Sequence, residues 1–551
     1  MRGRVLATLL SATWAVQPNV AVPKDPYFVT TLCTPYPANV ARRVSVSNGA
    51  ELQKALDAAV AGDVISLTAG TVFSPPSGGS FVLRNRSIPA NEWVILRSAS
   101  GAFDPGGTVP PNTRVDKSKI AEMPQIRSTS NNAPAFISDS GARGYRLVGL
   151  DVGADPSIIQ LTNLIDFELG ASDIVIDRCY LHGNDSGNFR RGVVVNGARL
   201  AVIESYLENF HDANSDSQAI GGWQGPGPFK IVNNFLEAAS ENILFGGSDP
   251  TTANLVPADI EIRRNLSTKR LSWKAAGVPV KNAFELKNAR RVLIDGNVFE
   301  NVWASGQDGT AILLKSDNQD GACPWCVTEY VIFRNNIVRT ADNGLSINGV
   351  ETGRPGLLTP VHANHIRFEN VLFEGIGGKL FRVFNGVTDL TLTHITSRSN
   401  PAGILDPAGP TDVNPRLVFT YNIVERKLYG IGYGGDEGQT LLSRNFPSFS
   451  YSQNVIVNTS AGTDQATGDS QLEGRYPAQT WVVSGWDAVG FTSGSSKLTT
   501  ASRFRKAGSD GKDIGADVDA IDAAAQNGPG GSAACTASTR TQPASVVRRG
   551  R

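Results

Sequence analysis

Short polar residues recur along the middle of the chain, each with apolar residues at the same positions before and after it; we call these positions the apolar frame. Around Asn297, for example, Val292 and Ile294 lie five and three positions before it, and Val298 follows it directly. The positions that share this pattern are Cys179, Ser205, Asn234, Asn265, Asn297, Asn336, Asn422 and Asn454, with Asn370 and His394 fitting when the leading pair is one residue closer. Apolar residues two positions apart on a short segment predict one face of a strand.

Successive members of this series lie 24 to 39 residues apart, and the segments between them are rich in Gly, Asn and Asp. Ten such strands predict a solenoid whose coils rest on one another, because no single coil buries its own apolar face. A β-propeller repeats at a steadier length, and a β-sandwich has no reason to repeat one polar position ten times. We therefore predict an all-β fold, a parallel β-helix over residues 81–505, with the asparagines stacked as a ladder at one corner.

The ends of the chain give further boundaries. Residues 47–61 (SNGAELQKALDAAVA) have cap-forming residues at their start and apolar residues on one face, which predicts a short amphipathic capping helix within an N-terminal segment 22–80 that also holds the first strand. Residues 506–521 are expected to form a closing turn, and the Ala/Gly/Ser/Pro-rich residues 522–551 a flexible tail. The basic opening and apolar run of residues 1–21 are typical of a signal peptide, so we expect a secreted, periplasmic or cell-surface protein.

Composition changes this picture little but excludes several classes of protein. The 551 residues include 51 basic and 51 acidic side chains, so no overall field attracts nucleic acid or an anionic membrane. No apolar run is long enough to span a bilayer. The 57 glycines suit a fold with several sharp corners per coil. Of five cysteines, Cys323 and Cys326 have a CxxC spacing, for which a local loop disulfide is favoured over a redox or half-zinc site.

A second strand per coil predicts a functional face. These strands are Ala219–Trp223, Asn242–Gly246, Ala283–Lys287, Ala311–Lys315, Leu345–Asn348 and Leu380–Phe384. Alternation points Phe284 and Leu286 into the core, and the outward residues are then Glu285, Lys287, Lys315, Asn348 and Arg382. Coil stacking would place the two lysines on adjacent rungs, about 4.8 Å apart at the backbone. Trp223 and the glycine pairs 221–222 and 246–247 would flank this strip.

Several segments resemble a known superfamily. The residues ELQKALDAAVAGDVISLTAGT (51–71), the asparagine-centred coils 216–247 and 284–301, and the closing GSDGKDIGADVDAI (508–521) look like the pectate-lyase-like right-handed parallel β-helix superfamily, over roughly residues 44 to 521. The resemblance implies a right-handed solenoid, most similar to secreted bacterial members of unassigned activity. It says little about chemistry, since the superfamily contains lyases, glycosidases, epimerases and adhesins.

Two hypotheses for the strip remain open. The first is a groove for an acidic, uronate-containing polysaccharide, cleaved by β-elimination with Lys287, Lys315 and Glu285 as catalytic groups. There, mutual repulsion of the two lysines would lower one lysine pKa, and Trp223, Glu241, Asn348 and Arg382 would bind the sugar. The second is a non-catalytic surface or carbohydrate-binding protein, in which Glu285 simply pairs with lysine on a solvated face.

Two further expectations concern carboxylates. A glycoside hydrolase would need a carboxylate pair, for which Glu241, Glu285, Asp317 and Asp320 are candidates. No cofactor is required by the sequence, but Asp317 and Asp320 could hold Ca²⁺ in loops beside the strip. The expected partner is an acidic polysaccharide, with no nucleic acid and no membrane span, and the protein is expected to be a monomer.

Overall fold

The computed structural model describes residues 40–131, 133–351, 359–398, 402–409, 412–460 and 469–526. Over these residues the chain winds into a right-handed parallel β-helix, in which successive coils add one strand to each of three parallel sheets. Sheets 1 and 2 are joined, because the long strands Asn364–Ile376 and Thr388–Arg398 run through both. The fold class predicted from the sequence is therefore confirmed.

The strands of each sheet follow in chain order. Sheet 1 contains Arg42–Val46, Asp63–Leu67, Val94–Ser98, Arg143–Val148, Ser172–Asp177, Ala198–Ile203, Phe229–Val232, Ala258–Arg263, Ala289–Asp295, Thr328–Arg334, the first halves of the two long strands, Val418–Thr420 and Ser450–Ser452. Sheet 2 contains Val72–Phe73, Gln125–Ser128, Asp151–Ala154, Tyr180–His182, Tyr206–Phe210, Phe235–Ala238, Leu266–Thr268, Val298–Val302, Ile337–Ala341, the second halves of the two long strands, Ile423–Arg426, Asn454–Asn458 and Thr480–Val483. Sheet 3 contains Phe81–Leu83, Phe136–Ser138, Gln160–Phe167, Asn188–Val195, Gln218–Gly222, Glu241–Phe245, Phe284–Leu286, Thr310–Asp317, Asn343–Glu351, Lys379–Phe384, Gly403–Asp406 and Tyr429–Tyr433, with Asp436–Glu437 antiparallel to the last.

The core lies inside the coils, where identical positions of successive strands stack. Ile262 pairs with Ile294, Ile294 with Phe333, and Phe333 with Phe368, and all four side chains are fully buried. The rings of Phe333 and Phe368 stack with centroids 4.8 Å apart. Ile294 is the residue three positions before Asn297, so the apolar frame seen in the sequence is the inward face of sheet 1.

The asparagine ladder forms at the corner between sheets 1 and 2. The Oδ1 atom of Asn265 accepts hydrogen bonds from the backbone N–H and the side chain of Asn234 at 2.8 and 3.0 Å, and Asn265 donates in the same way to Asn297. Each ladder side chain also donates to a backbone carbonyl, that of Ile231 in the case of Asn265. Because the groups are buried, the ladder satisfies backbone that the tight corner leaves without a sheet partner.

Asn370 and His394 do not belong to this ladder. Leu372 pairs with Ile337, so Val371, and not Asn370, takes the position next to Asn336. Asn370 and His394 have positive φ angles of 54° and 51°, as do the residues that precede the ladder members elsewhere, such as Arg264 at 53°. The one-residue shift in the sequence pattern therefore moves the polar side chain from the interior to the left-handed corner, which Asn and His tolerate better than Val.

Helices are few and lie at the ends and corners. The α-helices are Gly49–Asp57, Ser272–Ala276, Gln439–Asn445, Asp469–Glu473 and Val518–Gln526, and the 3₁₀ helices are Pro76–Gly78, Gly101–Phe103, Lys117–Glu122, Ala253–Leu255 and Trp486–Ala488. The predicted N-terminal helix is present as Gly49–Asp57, capped by the side chain of Asn48, and it buries Leu52 and Leu56 against the first strands. No helix within the described ranges is long and apolar enough to cross a membrane.

Only some of the predicted terminal segments fall on residues that the structure describes. Residues 1–21 and most of the predicted tail lie outside the described residues. The helix Val518–Gln526 runs past the expected boundary between 521 and 522 and buries Ile521 against Leu372. His394 holds the closing segment from the other side, with Nε2 2.8 Å from Oδ2 of Asp510. The helix thus packs on the outer face of sheet 2, over Ile337 and Leu372.

Candidate functional site

A cleft of about 220 Å³ opens on the outer face of sheet 3, over the strands Gln218–Gly222 and Glu241–Phe245. Its lining residues come from four successive coils and one loop: Arg190, Arg191, Asp216, Gln218, Gly221, Gly222, Trp223, Leu244, Gly246, Gly247, Ser248, Lys287 and Gln319. The structure therefore brings together Trp223, both glycine pairs and Lys287, which the sequence placed on one strip.

Glycine is required on the floor of the cleft. A Cβ on Gly222 would lie 2.6 Å from the carbonyl oxygen of Val195 in the preceding coil. Gly246 has a φ of 120°, and a Cβ there would lie 2.5 Å from the Cβ of Lys287. Any side chain at these positions would fill the cleft or displace the neighbouring strand. Gly222 and Gly246 thus allow the close approach of neighbouring coils at the floor of the cleft.

Arg191 and Trp223 form one wall. The guanidinium of Arg191 lies over the indole of Trp223, 5.4 Å from the ring centroid. Its Nε donates to Oε1 of Gln218 at 2.8 Å, and a terminal nitrogen donates to Oδ1 of Asn163 at 3.3 Å. Burial, together with repulsion from Arg190, lowers the pKa of Arg191 to about 10, so it remains a cation at neutral pH. An aromatic face beside a fixed cation is suited to a sugar ring that bears a negative charge.

Lys287 lies across the cleft and is held by a loop. Its Nζ donates to Oε1 of Gln319 at 3.1 Å. The next residue, Asp320, accepts hydrogen bonds from the side chain of Ser248 and the backbone of Asp249, both at 2.9 Å, while Asp249 accepts from the backbone of Asp320 at 3.1 Å. The loop between the coils is also closed by the predicted Cys323–Cys326 disulfide. These contacts fix Gln319 and, through it, the side-chain nitrogen of Lys287.

Lys315 lies in different surroundings from Lys287, and the expected lowering of a lysine pKa is wrong for it. Its Nζ lies 3.8 Å from Oε1 of Glu285 and 3.6 Å from Oδ2 of Asp317, and it also contacts the carboxylate of Glu351. Burial alone would lower the pKa of Lys315, but attraction to Glu285, Glu351 and Asp317 outweighs it and raises the pKa. Lys315 is thus held as a cation and is not among the residues that line the cleft.

We expect Lys315→Met to lower the free energy of unfolding by about 3 kcal/mol near pH 7, because it leaves the buried carboxylate of Glu285 without its cation. The raised pKa of Lys315 means that its stabilising contribution is present below the ordinary lysine pKa and disappears only as pH rises through the raised value. Urea unfolding at several pH values measures this, with Lys287→Met, expected to change stability by less than about 1 kcal/mol, as the matched control. Equal losses for the two variants at pH 7 would contradict the prediction.

Three other candidates lie away from the cleft lining. Asn348 accepts a hydrogen bond from Nδ2 of Asn385 at 2.9 Å. Arg382 lies 3.9 Å from Asp308 and over the ring of Phe384, with its guanidinium 5.0 Å from the centroid. Asp317 faces Lys315. These residues share sheet 3 with the cleft but are farther along the solenoid, so the structure does not gather all the sequence-predicted groups at one point.

The expected calcium site has no cluster to support it among the described residues. In that part of the chain, no group of three or more His, Cys, Asp or Glu side chains is arranged to hold a metal ion. Asp317 is directed to Lys315, and Asp320 is hydrogen-bonded to Ser248 and Asp249. The carboxylate of Asp320 therefore helps to fix the loop beside the cleft, that of Asp317 pairs with Lys315, and a calcium requirement stays a prediction.

Glu241 lies beneath the cleft and not on its surface. Its side chain is 1% exposed, and Oε2 accepts a hydrogen bond from Nε2 of Gln218 at 2.7 Å. Burial, then repulsion by Glu285 and Asp216, raises the pKa of Glu241 to about 8. Glu285 is also only 1% exposed. Since neither carboxylate reaches the surface, the two are poorly placed to flank a glycosidic bond as a hydrolase pair.

The sequence did not single out Arg191, Gln218 and Gln319. Arg191 pairs in register with Gln218, and Gln218 with Glu241, so these polar side chains form a column at the edge of sheet 3. A column of polar residues at equal positions of successive coils was the available signal for Arg191 and Gln218. Gln319 comes from a loop, whose path no periodicity in the sequence determines.

Comparisons with known proteins find likeness at the level of solved structures. No family model matches the chain, and no curated protein sequence matches it. An alginate lyase from Paenibacillus sp. str. FPU-7 is similar over 67% of this chain and 98% of its own, at 13% identity and a TM-score of 0.37. A PL6 family polysaccharide lyase from Pseudopedobacter saltans is similar over 77% and 94%, at 13% identity and a TM-score of 0.42.

A third similar structure is named for a different reaction. The catalytic unit of a GH87 α-1,3-glucanase from Streptomyces thermodiastaticus strain HF3-3 matches over 83% of this chain and 71% of its own, at 10% identity and a TM-score of 0.41. Identities and TM-scores at this level do not assign a reaction to this chain.

Proposed function

We propose that the protein binds an acidic, uronate-containing polysaccharide in the sheet 3 cleft and cleaves it by β-elimination, with Lys287 as the base. The observation that carries this proposal is that Lys287, Trp223 and the two arginines 190 and 191 line one cleft of a size suited to a sugar ring. Indole faces pack against sugar rings, and guanidinium groups pair with carboxylates. Polysaccharides of this kind occur outside the cell, which agrees with the prediction that this protein is secreted.

The proposed reaction needs three events at one uronate residue. An arginine of the cleft neutralises the carboxylate, which makes the neighbouring C5 proton more acidic. The neutral amine of Lys287 accepts that proton, and its lone pair forms the new N–H bond. The electrons of the C5–H bond form a C4–C5 double bond while the C4–O bond breaks, and the leaving oxygen takes up a proton from solvent.

The test is incubation of the purified protein with alginate, pectate and chondroitin, each with and without calcium. β-Elimination creates a conjugated double bond that absorbs ultraviolet light, whereas hydrolysis yields reducing ends without it. We expect ultraviolet absorbance to rise with one acidic polymer and not with neutral glucans. Reducing ends without absorbance would instead identify a hydrolase. If no polymer is cleaved, the elimination proposal is wrong.

A non-catalytic carbohydrate-binding function is the second candidate, and one observation favours it. Lys315 and Glu285, two of the three groups expected to act as catalysts, are paired with each other outside the cleft lining. Of the three groups predicted to be catalytic, only Lys287 therefore lines the cleft, which otherwise offers a surface for binding. Binding of an acidic polymer without cleavage, measured by calorimetry, would identify this function.

We expect Trp223→Ala to weaken binding of an acidic oligosaccharide about tenfold, because Trp223 is the one aromatic residue among the described residues that line the cleft. Isothermal titration calorimetry with the polymer selected by the panel measures the change. Trp486→Ala is the matched control, since Trp486 also lies under an arginine, with the guanidinium of Arg398 5.8 Å from its ring centroid, but outside the cleft lining. Equal effects of the two substitutions would place the ligand elsewhere.

A further inference from the structure

We propose that Glu241 is a positioning residue that acts through Gln218 on Arg191 and Trp223, so that a proton on Glu241 and an acidic ligand in the cleft stabilise each other. The inference deepens the proposed function and rests on it for the nature of the ligand. Glu241 itself is buried beneath the floor and cannot touch the polymer.

The hydrogen-bond chain runs across three coils. Arg191 Nε donates to Oε1 of Gln218 at 2.8 Å, and Nε2 of Gln218 donates to Oε2 of Glu241 at 2.7 Å. Arginine is only a donor, so the amide oxygen of Gln218 has to face Arg191 and its amide nitrogen has to face Glu241. An acceptor at position 241 therefore fixes the orientation of Gln218. Gln218 in turn fixes the arginine that stacks on Trp223.

The charges around Glu241 set the effect of its ionisation. Glu285 and Asp216 repel its carboxylate, while Lys281, which lies 2.5 Å from Asp216, attracts it. The buried ammonium of Lys269 also interacts with Glu241 and is held by the carbonyls of Ala238, Ser240 and Asn282 and by Oδ1 of Asn242, all within 2.8 Å. With its pKa raised to about 8, Glu241 is neutral at pH 7 and becomes an anion under the cleft above pH 8.

The direction of the linkage follows from the sign of that charge. An acidic ligand is repelled by ionised Glu241 and not by its protonated form. Ligand binding therefore favours protonated Glu241 and raises the pKa of Glu241 further. Affinity is then highest below pH 8 and falls as pH rises through 8. For a separation of about 4 Å in water, one added negative charge weakens binding of an acidic ligand roughly fivefold.

The test compares wild type with Glu241→Gln, which keeps a hydrogen-bond acceptor but cannot ionise. The dissociation constants of alginate and pectate oligosaccharides are measured at pH 6.5 and 9.5. We expect the ratio between the two pH values to be about five times larger for wild type than for the variant. Burial lowers the pKa of Lys269 to about 7 and its interaction with Glu241 raises it, so the ratio measured for wild type reports the titration of the two groups together. Equal ratios would overturn the inference.

A measurement without ligand separates this inference from the proposed function. The fluorescence of Trp223, obtained by subtracting that of Trp223→Phe, should change between pH 7 and 9 in wild type, because ionisation of Glu241 alters the charge balance at Arg191. The change should be absent in Glu241→Gln. If no acidic polymer binds but this difference is seen, the proposed function fails and the positioning role stands. If the fluorescence change persists in Glu241→Gln, the positioning role is wrong.

Discussion

Replacing Lys287 by alanine is expected to reduce the elimination rate by about a thousandfold, because the cleft then loses the only lysine among its described lining residues. Folding should be unaffected, because Lys287 is half-buried and its side-chain hydrogen bond is to a loop residue, Gln319. The measurement is the initial rate of ultraviolet absorbance with the polymer that wild type cleaves, together with the thermal midpoint of unfolding.

Two matched variants separate the base from the charge. Lys287→Arg places in the cleft a guanidinium group that cannot accept a proton at neutral pH, so it should bind the polymer and still lack activity. Lys54→Ala removes an exposed lysine from the N-terminal helix and should have no effect. Substantial turnover in Lys287→Arg would show that Lys287 acts by charge alone, and unchanged turnover in Lys287→Ala would remove it from the mechanism.

Replacing Asn265 by glycine is expected to lower the free energy of unfolding by about 4 kcal/mol, the largest effect on stability foreseen for a single residue here. The substitution leaves two buried backbone groups without their partners, the N–H of Asn234 and the carbonyl of Ile231. Each such group costs about 1–3 kcal/mol. The lost side chain also opens a small cavity in the corner of the coil. Urea unfolding followed by far-ultraviolet circular dichroism measures the change.

Asn370→Gly is the control for this substitution. The chemical change is the same, but Asn370 lies at the left-handed corner with a φ of 54°, where glycine is less strained than asparagine. It loses hydrogen bonds to Asn335 and Asp517 near the surface, and we expect less than about 1 kcal/mol of destabilisation. Similar losses for Asn265→Gly and Asn370→Gly would mean that the ladder does not stabilise the solenoid.

The candidate site was predictable only where it follows the strand period. Trp223 and Lys287 lie at strand ends where alternation sends the side chain outward, so their meeting at one face could be foreseen. Lys315 follows the same alternation, yet its ammonium group forms ion pairs with Glu285, Asp317 and Glu351. Of these, Glu351 belongs to the next coil, so long-range pairing determined which lysine became a surface group. Periodicity gives the face of a side chain, but not the partner that it finds there.

What the sequence determined by itself was the solenoid. Its period, its apolar frame, its ladder of asparagines and its short helix at the start all follow from local patterns, because each coil contacts mainly its neighbours and repeats the same interactions. Only the tertiary structure decided that Asn370 and His394 lie outside the ladder, that Arg191 and Gln218 complete the cleft, and that Glu241 is buried beneath it. These features depend on the register between coils and on loops of unequal length. A shift of one residue there exchanges interior for surface without disturbing the pattern that predicts the fold.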